Sequence, residues 1–294
     1  NGDELYQNRI NFFTTSERYT ARDIHEIGMG EVSRIQSEMG QIIDSLGFEG
    51  SFEAFLGFLR TDPKFYADTP GALLTRARDI AKRIDGELPR FFKTLPRRPY
   101  GVRPVPDAIA PKYTGGRYVP PRSETQAGTY LVNTYKLNSR PLYTLPALTA
   151  HEAVPGHHLQ GALNRELSSE FPAFRRQLYL SAFGEGWGLY SEYLAGDMGI
   201  YQDLYERFGQ LTYEMWRACR LVVDTGIHSM GNPRAVNSSS EETSAFFSGL
   251  IWGKKSTSCI ELESVMIMLS LSMPIPNPAV GGMPYSSART KSAS

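Results

Sequence analysis

The chain has little cysteine, little histidine and no excess of either charge. Of its 294 residues only two are Cys, at positions 219 and 259, which excludes a disulfide framework and shows no zinc-finger spacing. Lys and Arg total 31 and Asp and Glu total 31, for a formal net charge of zero. That balance removes the usual electrostatic case for a nucleic acid or an anionic membrane as partner. No run approaches the roughly 20 apolar residues of a membrane-spanning helix. The most apolar late stretch, Val265 to Ile275, is broken by Ser270, Ser272 and Pro274. What is present is an apolar fraction of 41% with 12% aromatics, which argues against wholesale disorder and leaves enough chain for a substantial core. The chain starts at Asn1 with neither an initiator Met nor a signal-like segment, a pattern expected of a fragment; it gives neither compartment nor oligomeric state. Histidine is scarce but clumped: three of the five fall within eight residues, His151, His157 and His158.

Periodicity makes the chain mainly α. Ile24, Ile27, Val32, Ile35, Met39, Ile42 and Leu46 recur at helical spacing over 21–46, with Thr20 placed to cap and Gly47 to stop. A shorter helix is expected after Ser51 and a third from Pro70 to Gly86. Six prolines from Pro99 to Pro121 forbid regular helix over 96–126 and give an extended arm. The segment GTYLVNTY, 128–135, is the best strand, with one or two companions in the arm making a small sheet. Helix returns near Pro146, is interrupted at Pro155-Gly156, and continues in helices over about 173–194 and 204–228. After Gly231 the residues are Ser-rich and aperiodic. The expected division is a helical domain over 1–231 and a divergent Ser-rich tail, disordered or aberrant, over 232–294.

The chemistry gathers in TAHEAVPGHHLQ, 149–160. A His followed at once by Glu on a helix, with another His nearby, suggests zinc hydrolase chemistry, where imidazoles hold Zn2+ and the Glu deprotonates water. The usual second His stands four residues on, but here that position is Pro155. In a straight helix His157 lies about 240° round from His151, and His158 about 10.5 Å along the axis. Neither spacing suits one ion, whose nitrogens must lie within roughly 3.5 Å of each other. A kink at Pro155-Gly156 can rotate either later His onto the ligand face, so His157 and His158 both remain candidates. The third ligand is expected from FGEGWGLYSEYL, 183–194, where Glu185 and Glu192 share a helix face; Glu185 is preferred, and Glu192 can instead orient a ligand His. Tyr130 and Asn133 are placed to line a peptide groove beside the strand. Trp187, Tyr190, Tyr193 and Cys219 read as packing, and Asp224 with His228 as an i, i+4 pair.

Together TAHEAVPGHHLQ, FGEGWGLYSEYL and RACRLVVDTGIH resemble the bacterial domain-of-unknown-function 885 family, over about Gly2 to Gly231. That family looks like a branch of the gluzincin zinc metallopeptidases with a widened H-E-x-x-P-G-H-H motif. The resemblance implies that the domain over 1–231 is a helical zincin-like metallopeptidase core with a small β-sheet edge able to hold an extended peptide substrate. By residue, it implies His151 and His157 as ligands, Glu185 as third ligand and Glu152 as general base. His228 is the choice for steadying the oxyanion. It also implies a longer parent architecture, of which this chain is a part. The alternative is a catalytically incomplete helical protein that keeps a zinc site and binds a peptide or partner.

Overall fold

A computed structural model describes residues 2–167, 170–176 and 178–231. The expected divergent tail, 232–294, lies outside the described residues. Eight helices are described: α1 (Gly2–Thr14), α2 (Ala21–Ser45), α3 (Phe52–Thr61), α4 (Pro70–Phe91), α5 (Leu145–Glu152), α6 (His157–Arg165), α7 (Ser181–Asp197) and α8 (Leu204–His228). Between α4 and α5 come β1 (Tyr100–Pro104), β2 (Gly116–Val119) and β3 (Gly128–Val132). The chain is mainly helical with one small sheet, as its periodicity implies.

Local chemistry sets the helix ends. The Thr20 hydroxyl accepts from the Asp23 N–H while the Asp23 carboxylate accepts from the Thr20 N–H, a reciprocal cap that satisfies two otherwise orphaned donors. At the other end Gly47 takes φ +63°, a left-handed turn that glycine adopts without steric cost. Two boundaries differ from expectation. Helix α4 passes Gly86 and runs to Phe91, because Leu88 continues the buried row Leu73, Ala77, Ile80, Ile84. Helix α7 begins at Ser181 rather than near 173. The preceding Phe174, Leu178, Tyr179 and Leu180 stay exposed and offer no stripe to bury.

Strand order is β1-β3-β2, with β1 parallel and β2 antiparallel to β3. The strand read from sequence is therefore the central one, and both companions come from the proline-rich arm.

Two buried clusters hold the molecule. One gathers α1, α2, α3 and α8 around Ile35, Met39, Phe55 and Phe208; the other packs α4, the sheet and α5 around Ile80, Ile84 and Tyr130. Helix α7 serves both, giving Leu189 to the first and Leu194 and Ala195 to the second. The seam between the clusters runs along α7, and the histidine clump lies on it.

Candidate metal centre

Helix α5 carries His151 and Glu152 in its last turn. The helical ladder ends with the Ala153 N–H donating to Thr149 O, since Pro155 has no N–H to continue it. The chain makes a wide turn instead: the Gly156 N–H donates to Ala150 O and the His158 N–H to Ala153 O, each at 2.9 Å. A Cβ at Gly156 would stand 1.8 Å from the His151 carbonyl oxygen, so only glycine lets the backbone fold back this closely. The Trp187 indole N–H of α7 clamps the turn by donating to Pro155 O at 2.7 Å. This detour cancels the angular mismatch of a straight helix. The His157 ring arrives beside that of His151, with centroids 4.7 Å apart and planes at 89°.

Glu185, in the first turns of α7, completes the group. Its two oxygens lie 3.4 Å from His151 Nε2 and 3.6 Å from His157 Nε2, and a ligand atom from each of the three residues falls within 4.8 Å of the others. The Tyr179 hydroxyl donates to Glu185 Oε1 at 3.0 Å. Helix α7 comes this near only because of Gly188, where a Cβ would sit 2.5 Å from His151 Cε1.

The opposite edge of His151 is fixed as firmly. Its Nδ1–H donates to Glu192 Oε1 at 2.7 Å, which leaves Nε2 facing Glu185 and His157; the tautomer follows from these bonds. Glu192 and Arg217 are both buried, and the guanidinium donates to the two Glu192 oxygens at 2.6 and 3.1 Å. Of the two glutamates on the α7 face, Glu185 thus joins the cluster and Glu192 orients the histidine. Burial opposes charge on His151, but hydrogen bonds to Glu185 and Glu192 and the Glu192 charge outweigh it and push its pKa up to about 9. Burial likewise opposes charge on Glu185, yet bonds to the two histidines hold its carboxyl far below the usual range. Two imidazoles and a carboxylate thus present their ligand atoms to one another at 3.4 and 3.6 Å, a donor set that a cation could bridge.

A cleft of about 150 Å³ opens beside the cluster, walled by Gly115 and Gly116 at the start of β2, Leu148 and Glu152 of α5, and Tyr213 and Trp216 of α8. Glu152 Oε2 accepts the Tyr118 N–H of β2 at 2.8 Å, so the strand holds one carboxylate oxygen in place.

Other expected site residues lie elsewhere. His158 is buried away from the cluster: its Nε2–H donates to Arg98 O, and its Nδ1 accepts the Tyr118 hydroxyl. Both ring nitrogens are used, and of the two candidates His157 is the one that joins the cluster. Tyr130 and Asn133 line no groove. Both are fully buried, because β3 is central; the Tyr130 hydroxyl meets Thr149, and the Asn133 amide donates to the carbonyls of Ala110, Tyr113 and Thr114. The strand facing the cleft is β2. His228 is half exposed at the end of α8, 3.9 Å from Asp224 Oδ1. At 1.5 Å per residue it is about 16 Å along the helix from Arg217 and does not reach the cleft. Arg217 itself, the first residue of RACRLVVDTGIH but given no role in the sequence reading, had a signal: a charge set among the apolar residues Met215, Ala218 and Cys219 of α8.

The donor set suits a borderline metal ion. Zinc–ligand bonds of about 2.0–2.2 Å place tetrahedral donors roughly 3.3–3.5 Å apart, close to the separations of Glu185 from the two imidazoles. Fold and site thus define a helical domain with a two-histidine, one-glutamate group able to hold a metal ion, on the seam between its cores.

The chain belongs to the family of bacterial proteins of unknown function DUF885, whose model matches residues 1–248. Among solved structures it is similar to a Colwellia psychrerythraea chain provisionally described as a lipoprotein, with 31% identity and a TM-score of 0.76. That match covers 91% of this chain but 44% of the other, so this chain spans under half the length of that relative. No curated protein matches. Among the described residues no helix is long and apolar enough to cross a membrane.

Proposed function

We propose that the centre binds Zn2+ and hydrolyses peptide bonds, in the manner of the gluzincin metallopeptidases. The observation that carries this is the convergence of His151, His157 and Glu185 beside an open cleft that also holds Glu152. Two imidazoles and a carboxylate also suit ferrous iron, but a carboxylate next in sequence to a ligand and oriented into the cleft favours hydrolysis. Bound zinc would supply Lewis acidity toward a carbonyl and lower the pKa of a coordinated water. Glu152, steadied by the Tyr118 N–H, takes the proton of the attacking water and later delivers it to the leaving amine. Glu192 and Arg217 hold the His151 ring while charge changes beside it. β2 is an edge strand, and apart from the Tyr118 N–H held by Glu152 its outer side gives an extended peptide backbone a strand to lie along.

The test is zinc content measured together with hydrolysis of a peptide library, for the wild type and Glu152→Gln. The wild type should hold zinc and cleave; Glu152→Gln should keep its zinc and lose activity by about 10²–10⁴-fold. Stoichiometric zinc with no cleavage by the wild type would instead support a non-catalytic peptide-binding protein.

A further inference from the structure

Tyr179 is an exposed aromatic whose hydroxyl is committed to the centre. It lies in the segment between α6 and α7, after a short 3-10 turn at Ala173–Arg176. The Asn164 side-chain amide of α6 pins that turn by donating to Arg176 O at 3.1 Å. The Tyr179 side chain is 60% exposed, so its ring adds little to either core. Its hydroxyl turns back to donate to Glu185 Oε1 at 3.0 Å. The ring can do this only because it lies against Gly184, where a Cβ would stand 2.4 Å from Tyr179 Cε2 and 2.5 Å from Cζ and Oη. Glycine is unfavourable inside a helix, and Gly184 is inside α7; the bare surface it leaves is filled by this ring.

Glu185 is itself 30% exposed, and a glutamate in that position has rotamer freedom to lose when it is ordered. The Tyr179 hydroxyl restricts it in advance. A carboxylate that accepts a hydroxyl on one oxygen keeps the other for an ion, and here that other oxygen, Oε2, lies 3.4 Å from His151 Nε2. We propose that Tyr179 is a positioning residue of the metal centre, holding Glu185 in the rotamer that serves as third ligand. This rests on the metal-binding half of the reading above and is independent of whether the centre cleaves peptides. It also gives the segment before α7 a purpose: an exposed stretch with little core of its own carries the group that orients a ligand. The centre is then steadied on two sides, with Glu192 and Arg217 behind His151 and Tyr179 behind Glu185.

Zinc affinity of the full chain, measured by competition with a chromogenic chelator, tests this in the wild type, Tyr179→Phe, Gly184→Ala and the double variant. Tyr179→Phe removes only the hydroxyl and should weaken zinc binding about 10- to 100-fold, with thermal unfolding of the metal-free chain unchanged. Gly184→Ala should displace the ring and cause a comparable loss. Because both changes remove one and the same hydrogen bond, the double variant should bind no more weakly than Tyr179→Phe alone. Cobalt loading supplies a readout that a mere loop anchor would not move: the visible absorption of the bound ion, which reports its ligand geometry, should differ between wild type and Tyr179→Phe. Wild-type zinc affinity and cobalt spectrum in Tyr179→Phe, or losses in the two single variants that add in the double, would overturn the proposal and leave the metal centre standing. A wild type that takes up neither zinc nor cobalt would overturn both.

Discussion

At the scale of single residues, adjacent histidines in one sequence motif have opposite roles. His157 is partly open and shares Glu185 with His151. His158 is buried with its Nε2–H on Arg98 O and the Tyr118 hydroxyl on Nδ1, and burial pushes its pKa down to about 4. The consequence for stability has a definite sign. The unfolded chain takes up a proton near pH 6.5, whereas folded His158 resists it until about pH 4. Stability is thus full above pH 6.5 and falls as pH drops toward 4, by at most about 3 kcal/mol from this group. Denaturant unfolding measured from pH 7 to 4 should show that loss, and His158→Gln should reduce it; an unchanged acid slope in the variant would refute the assignment. That one of the two histidines joins His151 in a candidate metal-binding group was legible in sequence. Which one was not, because the answer depends on the path of residues 153–156, which no helical wheel describes.

At the scale of elements, the centre exists because α5, α6 and α7 meet without the usual side-chain spacing. Gly156 lets α6 start against the end of α5, and Gly188 lets α7 pass against the His151 ring. Gly188→Ala would place a methyl group 2.5 Å from His151 Cε1, so helix or ring must move. The expected outcome is a folded protein, by circular dichroism, whose zinc affinity falls by about tenfold or more, as when a partner that orients a ligand is lost. Wild-type affinity in Gly188→Ala would show that the close approach is not needed. Helix existence was readable from apolar spacing, and Thr20 and Asp203 each cap a helix that the pattern foretold. The order of strands was not, since it depends on how a proline-rich arm returns to the sheet. That single non-local fact moves Tyr130 and Asn133 from groove to core and makes β2 the strand at the cleft.

At the scale of the whole molecule, the centre draws on both cores. His151 and His157 come from the cluster around the sheet, Arg217 comes from the cluster around α2 and α8, and α7 joins them through Glu185 and Glu192. An ion held there ties the two halves together, and binding to the folded state alone stabilises it by about 2.7 kcal/mol at a free concentration 100 times the dissociation constant. The His clump and the two glutamates of α7 made this centre visible in sequence; Arg217 took on its role only once the folded chain set it beside Glu192 and the cleft. The most direct test is zinc content after loading and exhaustive dialysis, in the wild type, His157→Ala, Glu185→Gln and His158→Gln. The expected result is about one zinc ion per chain in the wild type and His158→Gln, with little or none in His157→Ala and Glu185→Gln. A wild type that retains no zinc, or a site lost in His158→Gln and kept in His157→Ala, would contradict the account.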